Sequence, residues 1–471
     1  MCYIFFNKNI EVSSLLFEML VPGFKAFKCP RLIREAMKIV FIQPSTHRER
    51  INTIDLSSIA FPPLTFPTLA AHTPPDHSVT MIDERIEKID FSVPYDLVGI
   101  TAITCEAPRA YEIADEFRRR GITVVLGGPH VSVLPNEAKT HADSVVIGEA
   151  EESWPLLLRD LEKGELQSFY QQTHPTDIRM LSPPDMSLLS FHTLFGGVQS
   201  SRGCPNRCKF CSIGNSKDGR VFRKRPIEHV VHEIRQSRKR IIMFYDASMT
   251  IDVEHTKALF RALRGLHKRF LCLGNIDVLG QDDELLRLSK EAGVIQWGIG
   301  FESVSQESLS EVWKKTNTVH NYSKAIEKIH AHKMMARGFF IFGFDHDTTD
   351  IFDKTVEFVQ TSHLDAANFG MLTPFPGLAL FKNLEKQHRI LTTDWNKYGF
   401  HQPVVFHPKK LTETELLNGY NKAYRKYYSW DAIAKRFRYL VRNHLTFTNL
   451  VMFLAENIII RVYLMYQIGT E

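Results

Sequence analysis

Cysteine is scarce. The 471 residues contain seven, an odd number, so no disulfide framework organises the chain. Neither sign of charge is far in excess, with 58 Lys+Arg against 53 Asp+Glu, and the basic residues are scattered rather than striped. A net charge of +5 spread that way gives no footprint for nucleic acid. No long uncharged apolar run is present either. The most apolar stretch, Leu445 to Tyr466, carries Glu456, Asn457 and Arg461 inside it, whereas a membrane span needs about 20 residues nearly free of charge. It reads as a packing helix, with an amphipathic helix lying on a membrane surface as the sharper alternative. The first residues have an apolar patch, Tyr3 to Phe6, with no basic region ahead of it and no small-residue cleavage site. No secretory signal is read there, and the default compartment is cytoplasmic, with peripheral contact to a membrane through the C-terminal region as the variant.

The remaining composition, 44% hydrophobic and 24% charged, is that of an ordinary globular protein. At roughly 100–200 residues per domain the length suggests two or three domains. Met37 opens a short apolar run, Lys38–Gln43, with the look of a first buried strand; either translation starts at Met37 or residues 1–36 form an extension. From there to about Tyr170, strand-like runs alternate with helical ones: Ser78–Asp83, Leu97–Thr101, Thr123–Leu126 and Ser144–Ile147 read as strands, and Pro108–Arg120 as a helix stopped by Gly121. That alternation predicts a parallel, doubly wound sheet, whose ligands bind beyond the carboxyl ends of the strands. Three such ends carry small residues: Thr101-Ala102, Gly127-Gly128-Pro129-His130 and Gly148-Glu149-Ala150-Glu151.

A Pro-rich stretch, Ser182 to Asp185, marks a linker, after which six more strand–helix units follow in about 180 residues. They predict a partial or full parallel barrel. From about Thr412 the chain is helical, with Tyr424, Tyr427, Tyr428 and Trp430 clustered. The fold expected is α/β: a Rossmann-like doubly wound domain, then a partial (β/α) TIM-type barrel and a C-terminal helical region. The boundaries expected are 1–36 for the extension, 37–170 for the first domain, 171–194 for the linker, 195–405 for the barrel and 406–471 for the helices.

Three of the cysteines crowd into Cys204-Pro-Asn-Arg-Cys208-Lys-Phe-Cys211, directly after a candidate strand. Three thiolates in one loop can hold a 4Fe–4S cluster that keeps one iron without a protein ligand. Zinc, the other reading, would want a fourth Cys or His at finger-like spacing, and none follows nearby.

Cys-x-x-x-Cys-x-x-Cys after the first strand of a barrel resembles the signature of the radical S-adenosylmethionine enzymes, over roughly residues 195–380. The resemblance implies that Cys204, Cys208 and Cys211 hold the cluster and that its open iron binds S-adenosylmethionine. One electron, from a donor such as a flavodoxin or ferredoxin, then cleaves the sulfonium to a 5′-deoxyadenosyl radical. It further implies Phe210 against the adenine, Asp246 against the methionyl amine, and Glu302, flanked by Gly300 and Ser303, at the ribose; Arg337 belongs to the next strand of the same site. Thr373-Pro-Phe-Pro-Gly377 looks like the family's late loop. Residues 37–170 resemble the cobalamin-binding module of the same superfamily, which implies cofactor contacts from Thr101, Gly127, Gly128, His130, Gly148 and Glu149. One departure stands out: where other cobalamin proteins carry Asp-x-His-x-x-Gly, this chain has Pro44-Ser45-Thr46-His47-Arg48.

Together the two modules look like a cobalamin-dependent radical S-adenosylmethionine enzyme, closest to the hopanoid methylase-like subgroup. The function implied is methylation of an unactivated carbon of a small hydrophobic substrate, a lipid or a tetrapyrrole. A radical cyclase would use the same cofactors without moving methyl, and an iron–sulfur sensor or scaffold is the alternative from another class.

Overall fold

The computed structural model describes residues 36–45, 60–189, 193–399 and 403–468. The N-terminal extension and His47 lie outside them.

The first sheet has six parallel strands: β1 Lys38–Gln43, β2 Ser78–Asp83, β3 Leu97–Thr101, β4 Thr123–Gly127, β5 Ser144–Ile147 and β6 Phe169–Gln171. Their order is β2-β1-β3-β4-β5-β6, so the chain reverses direction across the sheet between β1 and β3. Helices cover both faces, and the central strands are therefore apolar without alternation. Ile39, Val40, Phe41 and Ile42 are all fully buried, Val40 and Ile42 under helix α1 (Ala107–Arg119), Ile39 and Phe41 under helix α2 (Ser153–Lys163). Residues Ala107, Ala110, Tyr111, Ala114 and Phe117 of α1 recur at helical spacing and form its buried face.

The second sheet is also six-stranded and parallel, in the order β14-β13-β12-β11-β10-β7. Its strands are β7 Gly196–Val198, β10 Ile241–Phe244, β11 Arg269–Gly274, β12 Val294–Glu302, β13 Met335–Phe342 and β14 Ala366–Met371. Among the described residues β7 and β14 do not pair, so the barrel is open on that side. A short antiparallel ladder, β8 Ser201–Arg202 with β9 Arg223–Lys224, brackets the cysteine loop. Alternate strand residues such as Phe244, Trp297, Ile299, Phe301, Phe340 and Phe369 pack under the helices. Met243, Leu273, Phe339 and Ile341, on the opposite face, are only partly buried and line the concave side.

Helices α3 (Glu413–Tyr427), α4 (Trp430–Asn443) and α5 (Phe447–Ile468) close the chain. The tyrosine cluster is structural: the Tyr424, Tyr427 and Tyr428 hydroxyls donate to Phe369, Leu364 and Ala367 carbonyls at 2.7–2.8 Å. The three polar residues inside α5 are equally engaged. Glu456 accepts from Gln296 at 3.0 Å and pairs with Arg337; Asn457 accepts from Arg436 at 2.7 Å; Arg461 donates to the Tyr428 carbonyl at 2.6 Å. No helix among the described residues is long and apolar enough to cross a membrane.

Beneath the barrel, Asp365 accepts from His330 at 3.0 Å on one oxygen and from His444 at 2.8 Å on the other. The two imidazoles stack face to face with centroids 4.1 Å apart and planes 6° from parallel. Stacked rings cannot aim both nitrogens at one ion, so this buried trio is a clasp between barrel and C-terminal helices, not a metal site.

Candidate active site

The cysteine loop leaves β8 at Gly203, whose φ is +91° and where a Cβ would come within 2.2 Å of the Val221 carbonyl. Only glycine passes there. The Cys204 amide donates to Gly219 at 2.7 Å, and Asn215 donates to both the Cys208 and Cys211 carbonyls at 2.8 Å. The three thiols form no disulfide. Burial pushes the Cys208 thiol up to about 11 and raises that of Cys204.

Glu302 ends β12 in left-handed backbone, φ +62°, with its side chain folded back over Gly300. A Cβ on Gly300 would lie 2.4 Å from the Glu302 carboxylate, which explains the glycine. Lys314 Nζ donates to that carboxylate at 3.0 Å. Burial acts against the Lys314 charge, but Glu302 and the nearby Cys208 more than offset it. Nothing in the sequence singled out Lys314, since a lysine 12 residues beyond a glutamate is unremarkable until the turn brings them together. Phe210 packs against Phe344, its centroid 6.3 Å away and its plane tilted by 56°, at the rim of the barrel core.

Three barrel residues stand elsewhere than the resemblance implied. Asp246 is buried and fully engaged, accepting from the Ser200 amide at 2.8 Å and from the Ser200 and Ser201 hydroxyls. Burial raises its carboxyl against those bonds. It braces the strand that feeds the cysteine loop instead of facing an open pocket. Ser303 is 2% exposed, its hydroxyl accepting from the Ser305 amide at 3.0 Å. Arg337 is not brought to the site: it pairs in register with Gly298, near the start of β13, and its guanidinium turns to Asn368 at 2.8 Å and Glu456 at 3.4 Å. The Asp345-His346-Asp347 run is a loop cap, with Asp347 accepting from the Gly343 and Phe344 amides.

On the first domain, Thr101, Gly127, Gly128 and Gly148 gather at the carboxyl ends of β3, β4 and β5, next to the switch point. Gly128 has φ +98°, and a Cβ there would sit 2.5 Å from Thr101 Oγ1. The glycine is required because this turn packs directly on Thr101 and Ala102 at the end of β3. Two expected contacts are taken up by protein. His130 is fully buried, held to Glu137 at 3.2 Å and edge-on to Trp395; burial lowers its pKa. Its ring also lies against Tyr111, with centroids 6.3 Å apart.

Glu149 crosses to the barrel domain. Its oxygens receive both Arg223 Nη groups at 2.7 Å and Thr176 N at 2.8 Å, with Arg202 at 3.3 Å; Glu151 takes Arg202 at 2.7 Å. Burial alone would raise the Glu149 carboxyl, but the two guanidiniums pull it down to about 2. This seam sets the strand ends of the first domain directly against the cysteine loop. Glu106 is a residue the sequence reading missed: buried near the switch point, accepting from Gln43 at 3.0 Å, its carboxyl is pushed up to about 7 by burial.

Comparison with known proteins places these two units. The radical SAM superfamily matches residues 198–359 and the B12 binding domain residues 71–158. The chain is 31% identical over 430 residues to bacteriochlorophyllide d C-12(1)-methyltransferase of Chlorobaculum tepidum, covering 88% of this chain and 92% of that one. It is 31% identical over 416 residues to the C-8(2)-methyltransferase of the same organism, covering 82% and 89%. The anaerobic magnesium-protoporphyrin IX monomethyl ester cyclase of Cereibacter sphaeroides is 28% identical, covering 74% and 63%. In fold, the cobalamin-dependent S-adenosylmethionine radical enzyme OxsB superposes with a TM-score of 0.64 over 92% of this chain and 73% of that one, at 15% identity. With a 4Fe–4S cluster, S-adenosylmethionine and cobalamin as its cofactors, the chain belongs to the cobalamin-binding radical S-adenosylmethionine enzymes, among their C-methyltransferases.

Proposed function

We propose that the protein transfers a methyl group to an unactivated carbon on the periphery of a tetrapyrrole. The observation that carries this is the near full-length similarity to two methyltransferases that share a bacteriochlorophyllide substrate. The concave face of the barrel supports it, because Met243, Leu273, Phe339 and Ile341 offer a flat apolar macrocycle a surface to lie on. A cofactor set of this kind supplies a carbon-centred radical on the substrate and a methyl donor to trap it.

In this reading Cys204, Cys208 and Cys211 hold the cluster, and Phe210, Gly300 and Glu302 hold the nucleoside of S-adenosylmethionine. Lys314 holds Glu302 in place through their 3.0 Å ion pair. Asp246 and Ser303 are positioning residues behind that pocket. Thr101, Gly127, Gly128 and Gly148 make room for cobalamin, while Glu149 and Glu151 lock its domain onto the cysteine loop. A small redox protein supplies the electron. Peripheral contact with a lipid surface fits the outer face of α5, where Phe447, Val451, Leu454, Ile458 and Val462 are exposed at helical spacing; Arg438 and Arg442 of α4 are exposed as well.

The test is anaerobic turnover with methyl-labelled S-adenosylmethionine and bacteriochlorophyllide d as substrate. Label in the macrocycle supports the proposal. Substrate oxidised or ring-closed without label supports the cyclase reading and refutes methyl transfer.

A further inference from the structure

A short segment of the first domain, Ala60 to Leu64, crosses to the barrel and lies against β7, its edge strand. Three sets of contacts hold it there. The Phe195 amide donates to the Ala60 carbonyl at 2.9 Å, and the Phe61 and Phe195 rings meet with centroids 5.0 Å apart. The Tyr245 hydroxyl, from the turn after β10, donates to the Pro62 carbonyl at 2.9 Å. A Cβ on Gly197 would come within 2.6 Å of the Tyr245 ring and 3.2 Å of the Leu64 and Pro62 side chains. The glycine in the middle of β7 therefore leaves room for Tyr245 and for two side chains of the other domain.

The strand register says which face they cover. Gly196 and Val198 are buried, Val198 under the helices, whereas Gly197 is partly exposed and pairs with Met243. Met243 lines the concave side, so Leu64 and Pro62 stand on that side as well. Pro62 is buried there; Leu64 keeps part of its surface open. The far end of the segment is fixed in the first domain. Phe66, 3% exposed, stacks on Phe41 of β1 with centroids 4.6 Å apart and planes 13° from parallel. The Leu64 carbonyl accepts from the Thr68 amide at 2.9 Å and from the Thr68 hydroxyl at 2.7 Å. Leu64 is thus pinned between two domains, and a ligand that pushed it aside would disturb one set of contacts or the other.

We propose that Leu64, carried by the first domain, is a specificity-determining wall of the substrate pocket and reads the bulk of alkyl substituents at the edge of the macrocycle. It rests on the tetrapyrrole reading above and names the residue that selects among members of that class. A flat ring system held on Met243, Leu273, Phe339 and Ile341 is bound by apolar area, which does not tell one peripheral substituent from another. Discrimination needs a fixed side chain beside the ring edge. An apolar wall separates ligands that differ by one methylene by about 10- to 200-fold. Tyr245 adds ring surface to the same wall, and its hydroxyl is already committed to Pro62. The wall therefore suits an alkyl group rather than a polar one.

The experiment uses the full chain loaded with cluster and cobalamin. It measures binding of bacteriochlorophyllide d by quenching of the pigment's fluorescence, and kcat/KM for two bacteriochlorophyllides whose ring-edge alkyl groups differ by one methylene. Leu64→Ala opens the wall and is expected to shift the kcat/KM ratio about tenfold toward the larger pigment. Leu64→Phe narrows it and should weaken binding of the larger pigment roughly tenfold more than that of the smaller. Iron and cobalamin contents should match those of the unaltered protein in both variants; if Leu64→Phe does not load, Leu64→Ala decides alone. A purely structural Leu64 would weaken both pigments equally, so an unchanged ratio in a loaded variant overturns the proposal. If the unaltered protein binds no bacteriochlorophyllide d, the tetrapyrrole reading itself fails, and the wall falls with it.

Discussion

Replacing Glu149 by Gln removes one charge from the seam and leaves its shape. In the folded protein a carboxyl held at about 2 instead of 4.5 contributes about 3 kcal/mol at neutral pH, at about 1.4 kcal/mol per tenfold change in proton affinity. The side chain is 15% exposed and its partner Arg223 13%, so little of this is screened away, and about 2–3 kcal/mol remains. In Glu149→Gln the Arg223 guanidinium loses its only carboxylate among the described residues, whereas Arg202 keeps Glu151. The loss should therefore be local.

Hydrogen–deuterium exchange over residues 144–152 and 201–224 reads it directly. Those amides should exchange about 30- to 150-fold faster in the variant at pH 7, while β11 to β14 change little. The pH dependence has a fixed sign. Glu149 is depressed on folding, so its contribution is complete above about 4.5 and is lost as pH falls toward 2; the gap between the two proteins should narrow below pH 4.5. Equal exchange in both proteins at pH 7, or a gap that widens on acidification, would refute the assignment of the seam to this ion pair.

Four further outcomes are expected. Cys208→Ala should reduce bound iron to background and abolish cleavage of S-adenosylmethionine, whereas Cys272→Ala, at a buried thiol in β11, should leave iron bound. Lys314→Met strands the buried Glu302 carboxylate, so binding of S-adenosylmethionine to the cluster-loaded protein, read by isothermal calorimetry, should weaken about tenfold or more, with Lys314→Arg recovering part of it. Gly128→Ala combines φ +98° with a 2.5 Å approach to Thr101, so it should cost about 1–3 kcal/mol and release cobalamin on gel filtration while iron stays bound. Asp365→Asn leaves two buried imidazoles sharing one neutral partner; the urea midpoint should fall by the equivalent of about 2–4 kcal/mol, with the C-terminal helices losing exchange protection first.

Which of these features could be read in advance follows from how far apart the interacting residues lie. The strands β1, β3 to β5 and β10 to β14 announce themselves as local apolar runs, and β2 as a shorter one at the sheet edge; β6 escapes because Phe169-Tyr170-Gln171 is a three-residue edge with only its middle residue buried. The cysteine loop is legible because its spacing is covalent, and Gly300 because the glutamate that needs the space is two residues away.

Partnerships across the chain are not legible. Asp246 looks like a ligand to an ammonium until Ser200 and Ser201, about 46 residues earlier, fold onto it. Arg337 looks like part of a pocket until Glu456 arrives from 119 residues downstream. Glu149 follows a strand end, where acidic residues serve cofactors and domain seams alike. What separates the two uses is whether a guanidinium waits opposite, and Arg223 is 74 residues away. The same argument bears on the site as a whole. Both cofactor modules can be recognised one at a time from their own residues, but the seam that joins them, Arg202 and Arg223 with Glu149 and Glu151, is made of partners 51 to 74 residues apart. The seam is for that reason the part of this enzyme whose loss should uncouple two intact half-sites: radical formation without methyl transfer.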